Sequence, residues 1–150
     1  MARTIALATL VAGTIDILYA ALLSAIYGRG PAAMLRYVAS GPLPSAKDMG
    51  AAGSALGLIV HFTLMAIMAG VYVLAARDRP SMIAKPIHWG ALYGLVTYVV
   101  MNLIVVPLRF DTPMPPTPLS IAFQLFAHVV LVGIPIAKIT TRSLQTTRFA

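Results

Sequence analysis

The sequence predicts an all-α integral membrane protein, a four-helix bundle with a short interfacial helix between its first two spans. Three observations carry this prediction. Hydrophobic residues make up 59% of the 150 residues and charged residues only 10%, where soluble domains run near 45–50% and about 25%. The few charges lie between apolar runs rather than inside them. Each run is long enough to cross a bilayer core as helix, which takes about 20 residues. Helix is the required form, because backbone exposed to lipid must satisfy its own hydrogen bonds, and the runs lack the strict alternation of a membrane barrel strand.

The elements follow in order. Between Arg3 and Arg29 lie 25 residues with one charge, Asp16. Between Asp48 and Arg77 lie 28 uncharged residues, between Lys85 and Arg109 another 23, and between Asp111 and Lys138 another 26. The expected spans are 5–27, 50–75, 87–108 and 119–137 in one transmembrane domain, with a basic tail over 139–150. Gly28-Arg29-Gly30-Pro31 ends the first span, and Arg77-Asp78-Arg79-Pro80 ends the second. The run Thr112-Pro113-Met114-Pro115-Pro116-Thr117-Pro118 reads as an extended connector, since proline removes a helix donor and clashes with the preceding turn. The first span is longer than a signal-peptide core and holds an acid at its middle, so it is expected to be retained.

From Pro31 to Ser40 the pattern fits a short helix, with proline suited to its first turn and Gly41 to its C-terminal cap. Met34, Leu35 and Val38 would face the membrane and Arg36 the headgroups, which is an interfacial arrangement.

Eleven Lys/Arg against four Asp give a net charge of +7. The basic residues are dispersed, so nucleic acid is not the expected partner. Four spans put Arg3, Arg77, Arg79, Lys85, Lys138, Arg142 and Arg148 on one side, against Arg29, Arg36, Lys47 and Arg109 on the other. Positive-inside logic then places both termini in the cytoplasm. Trp89 and Tyr72 would sit in the cytoplasmic aromatic belt, Tyr27 and Phe110 in the opposite one. Arg77, Arg79, Lys85, Lys138 and Arg142 would meet anionic headgroups or a partner.

Helices in lipid associate through small residues that allow close approach. Gly13 lies on one face of the first span with Thr9, Asp16, Ala20 and Ser24. The second span carries the GxxxG pair Gly53/Gly57, and the third carries Gly90/Gly94. Met65 and Met68 need no role beyond packing.

The polar residues of the spans share one depth. Asp16, His61 and His128 each fall near a span's centre, so at about 1.5 Å rise per residue they lie within a few Å of one level. Tyr98 is near the middle of the third span, and Asn102 and Gln124 are about one turn nearer the other face. An ionised Asp at a helix centre costs about 2.5–3.5 kcal/mol on insertion scales. Such a group faces the bundle interior and takes a partner, here His61 or His128. His88, beside Trp89, reads as a solvated end residue.

Cysteine is absent and no phosphate loop, HExxH or GxSxG motif occurs. No metal site and no catalytic residue are expected. The stretches Gly13-Thr14-Ile15-Asp16-Ile17, Leu56-Gly57-Leu58-Ile59-Val60-His61, Gly90-Ala91-Leu92-Tyr93-Gly94, Met101-Asn102, Val106-Pro107-Leu108, His128 and Gly133-Ile134-Pro135 resemble the YagU-like group of small bacterial inner-membrane proteins. The resemblance implies a multi-pass protein of the bacterial inner membrane and places Asp16, His61, Asn102 and His128 in recurrent motifs. It implies almost no mechanism.

The leading functional reading is a structural or regulatory membrane subunit whose polar cluster sets helix register, working as a homo-oligomer or with a membrane-protein partner. The alternative is proton-linked transport or permeation through Asp16 and the two histidines. A second alternative is haem b held by His61 and His128. The first two are separated by geometry: side chains converging on a wet cavity favour transport, and tight dry pairing favours a subunit.

Overall fold

A computed structural model of the chain describes residues 1–111 and 116–148, with side chains described through 145. It is all-α, with no strand among the described residues. Helix α1 (Ala2–Ile26) leads to the short α2 (Pro31–Ala39), a 3₁₀ turn (Pro44–Asp48), α3 (Gly50–Arg77), the short α4 (Pro80–Ala84), α5 (Pro86–Arg109) and α6. Helix α6 is continuous through Pro118–Phe126, a π-helical segment Ala127–Gly133, and Ile134–Arg148. Four of these helices, α1, α3, α5 and α6, are long and apolar enough to cross a membrane. Between 17% and 28% of each apolar window is buried, so most of the surface of this slender bundle is left for lipid.

Local chemistry explains the breaks. Gly28 and Gly30 both adopt positive φ, 73° and 72°, a region closed to most side chains, and this ends α1. Pro31 then occupies the first turn of α2. The Thr117 hydroxyl caps α6 by accepting from the Ser120 amide at 3.2 Å. Of the proline-rich connector, residues 112–115 lie outside the described residues.

One end of the bundle is tightly packed. Ala8 and Ala12 of α1, Ala69, Tyr72 and Ala76 of α3, and Val132, Ile136 and Ala137 of α6 form a buried core. Gly90 and Gly94 of α5 meet Gly133 of α6 backbone to backbone, and a Cβ on Gly94 would strike the His128 carbonyl. This is the close approach that the GxxxG motif of α5 predicts.

The Gly53/Gly57 pair is the bed on which α2 and the 3₁₀ turn lie. A Cβ on Gly57 would collide with the Leu35 backbone, and one on Gly53 with the Ala46 carbonyl. The small residues leave a groove on α3 in which α2 lies. Met34 and Val38 of α2 line a cavity, and the Arg36 stem passes beside Gly53.

The fourth helix does not stop at 137 but runs on to Arg148. The expected tail over 139–148 is therefore helix, and 149–150 lie outside the described residues. Its threonines are compatible with helix because Thr140 donates its hydroxyl to the Ile136 carbonyl at 2.7 Å. Thr4 of α1 and Ser143 of α6 share a 2.6 Å hydrogen bond that holds the extension on the bundle. Tyr72, expected in an interfacial belt, is buried edge-on against Tyr93 at 5.1 Å between ring centroids.

Candidate functional site

The opposite end of the bundle holds a cavity of about 650 Å³. Asp16 from α1, His61 from α3, Tyr98 and Asn102 from α5, and Gln124 and His128 from α6 all line it. All six polar residues singled out by depth are thus brought to one space, supplied by all four spans. Met34, Tyr37 and Val38 of α2 close one side, and Arg29, Pro116 and Thr117 stand where the cavity reaches the end of the bundle.

Two π-helical segments shape its wall. Val99–Val105 interrupts α5 and contains Asn102, and Ala127–Gly133 interrupts α6 and contains His128. Each segment ends two residues before a proline, Pro107 or Pro135. A proline ring lacks a donor and presses on the carbonyl four residues earlier, and a widened turn relieves both effects. The extra backbone width turns Asn102 and His128 towards each other.

They join a directional chain. The Asn102 amide donates to His128 Nε2 at 3.0 Å. His128 Nδ1 donates to Thr97 Oγ1 at 3.3 Å, and the Thr97 hydroxyl donates to the Gly94 carbonyl at 2.9 Å. Accepting at Nε2 and donating at Nδ1, the imidazole is held neutral as the Nδ1–H tautomer.

His61 is anchored differently. Its Nε2 donates to the Gly13 carbonyl at 2.9 Å, bridging α3 to α1. Nδ1 carries the remaining lone pair and is the ring's proton-accepting atom. Phe62 meets the imidazole edge-on at 5.2 Å. The pairing of Asp16 with a histidine is not a hydrogen bond. His61 reaches Gly13 instead, His128 reaches Asn102 and Thr97, and the only ion pair among the described residues is Arg77–Asp78.

A latch stands at the mouth. Arg109, the last residue of α5, donates Nη2 to the Ser40 carbonyl at 2.9 Å and Nε to the Gly41 carbonyl. Next to it Phe110 stacks on Tyr37 at 4.4 Å, and the Lys47 ammonium lies over the Tyr37 ring, 5.9 Å from its centroid. Burial in this stack raises the Tyr37 hydroxyl's pKa above its ordinary value, and Arg29 works against that rise.

Arg29, Tyr37 and the four methionines 34, 65, 68 and 101 belong to the cavity wall, and sequence reasoning did not place them there. Their signal was weak, because methionine at helical spacing is ordinarily packing. His88 stays outside, exposed beside Trp89. Arg77, Arg79, Lys85, Lys138 and Arg142 are exposed around the far, tightly packed end.

Haem fits poorly. Three of the four imidazole nitrogens of His61 and His128 are already hydrogen-bonded to protein, and His128 has none to spare. Among the described residues no three His, Asp or Glu side chains gather as a metal site. Fold and cavity together define a polytopic helical membrane protein with a polar interior pocket. Family models, curated proteins and solved structures yielded no match to the chain.

Proposed function

We propose that the protein is a proton-linked transport or permeation protein whose working site is the mid-membrane cavity. One observation carries this reading: the acid, both central histidines and the three neutral polar side chains line a single space, and the acid is left without a hydrogen-bonded partner there among the described residues while both histidines are tied to other helices. Asp16 is the proton-exchanging group, free of any hydrogen bond to a neighbouring side chain among the described residues. His61 Nδ1 is a second proton acceptor at the same level. The Asn102–His128–Thr97 chain is a fixed polar wall that holds α5 to α6. Access is from the end bearing α2, and the alanine-rich core closes the other end. Burying polar groups at this depth without function is costly, and such residues mark ion pathways.

The positive-inside asymmetry supports a cytoplasmic closed end with both termini, and a cavity mouth facing the opposite side, in a bacterial inner membrane. Slender packing favours a homo-oligomer, with the basic rim against anionic lipid. The test is reconstitution into liposomes holding a pH-sensitive dye. An imposed pH gradient should collapse faster than in protein-free vesicles, Asp16→Asn should remove the effect, and Asp16→Glu should keep much of it. Equal rates for wild type and Asp16→Asn would return the protein to the class of structural subunits.

A further inference from the structure

A proton site alone leaves the size of the cavity unexplained. Water and a carboxyl would suffice to exchange protons, yet the space is about 650 Å³, within the roughly 300–1,000 Å³ of pockets that hold small organic ligands. Its chemistry is narrow. Asp16 is the only carboxylate in the wall, and no side-chain cation among the described residues pairs with it. The remaining polar groups deep in the site are neutral amides, a phenol and imidazoles. Much of the rest is apolar: Ile17, Leu64, Ile121 and Val132, with thioethers at Met65 and Met101.

We propose that the cavity binds a lipophilic organic monocation, which exchanges with the proton on Asp16. Resting on the proton-linked reading, this names the substrate class of the same site. The charge follows from the single unpaired acid. The organic character follows from the walls: a small inorganic cation needs a cage of several oxygens to replace its water, and here one carboxylate is surrounded by hydrocarbon and sulfur. A cation with its charge spread over an apolar body loses little hydration and gains contact with those walls. The Tyr98 ring and the thioethers offer polarisable surface. A second cavity of about 580 Å³ adjoins the first, sharing Arg29, Tyr37 and Gln124 among others and adding Leu23, Leu119 and Phe123.

The exchange is balanced. The Asp16 carboxyl releases one proton to water as the cation takes its place beside the carboxylate, and reprotonation expels the cation. The titratable groups facing Asp16 are His61 from α3, Tyr98 from α5, His128 from α6, Tyr19 on its own helix, and Arg29 and Tyr37 at the mouth. Of these only Arg29 is a fixed positive charge, and it opposes cation entry.

The probe is tetraphenylphosphonium, titrated calorimetrically into the purified full chain in detergent. Saturable binding is expected, weakening by roughly tenfold per pH unit once Asp16 is protonated. In the pH range where binding weakens with falling pH, proton release into weakly buffered solution should approach one per cation bound. Asp16→Asn should lose binding at least about tenfold, and Arg29→Ala should tighten it. A neutral tetraphenyl analogue should not compete. Should Asp16→Asn fail to elute as a single species, the proton count on the wild type decides alone. Unchanged binding in Asp16→Asn, equal binding of the neutral analogue, or binding without proton release overturns the proposal. No binding alongside a persisting Asp16-dependent pH leak overturns the cation while leaving the proton site standing. Loss of both removes the two together.

Discussion

Asn102 and His128 face each other across the α5–α6 interface, 3.0 Å apart, and each occupies a π-helical segment of its own helix. The pair ties the two halves of the cavity wall together and decides which histidine nitrogen carries a proton. It is the point where backbone irregularity, helix packing and site chemistry coincide.

The bond should be measurable as a coupling energy. Asn102→Ala and His128→Ala, singly and together, should show non-additivity of about 0.6 kcal/mol, with roughly 1.7 as the upper range for bonds inside membranes. Reversible unfolding in mixed micelles reads it. Strict additivity would mean that the two side chains do not meet.

The tautomer is a separate prediction. Nitrogen-15 spectra of the labelled imidazoles should show His128 as Nδ1–H and His61 as Nε2–H near neutral pH. Pro107→Ala should relax the π segment of α5 towards α-helix and swing Asn102 off the ring. The His128 Nε2 resonance should then move, while His61 stays. A spectrum indifferent to Pro107→Ala would break the link between proline and site.

The seat of α2 depends on the missing side chain at Gly57. Gly57→Ala puts a methyl into the Leu35 backbone, and overpacking of this kind costs typically about 1–3 kcal/mol. Gly70, on the same helix, has nothing within 4 Å of an added Cβ. Gly70→Ala should be neutral or mildly stabilising, since alanine suits a helix better by up to about 1 kcal/mol. Thermal unfolding in detergent compares the two, and equal effects would place α2 elsewhere.

Arg109 holds the C-terminal end of α2 through two carbonyls. Arg109→Ala should speed amide exchange over residues 31–41 while leaving the buried core of α1, α3 and α6 protected. Arg109→Lys should only partly restore protection, because an ammonium lacks the planar fork that reaches both carbonyls. Faster exchange spread across the whole chain would mean that Arg109 supports the bundle rather than α2.

Much of this molecule was legible one residue at a time. Four intervals, three without a charge and one with Asp16 alone, mark four spans because hydrocarbon admits no unsatisfied backbone and few charges, which is a local rule. Depth was legible too: helical rise alone put Asp16, His61, Tyr98, Asn102, Gln124 and His128 near one level, and one cavity receives them all. Partner choice was not legible. Asp16 was expected to bond a histidine, but His61 found the Gly13 carbonyl and His128 found Asn102 and Thr97. Depth sets height along the bundle, whereas partners depend on azimuth, and azimuth shifts when a helix widens into a π turn. Pro107 and Pro135 held that signal, yet a proline marks only that the ladder changes, not how.

What the amino-acid sequence decided alone is the class of solvent the chain lives in, the number of its spans and the height of its polar groups. Hydropathy and rise per residue are properties of short segments and need no tertiary contact. Only the tertiary structure decided that α2 lies in the groove over Gly53 and Gly57, that α6 continues past Ala137, and that the polar groups line one cavity. Those outcomes turn on which surfaces fit against which. A groove has no existence until two helices are set side by side.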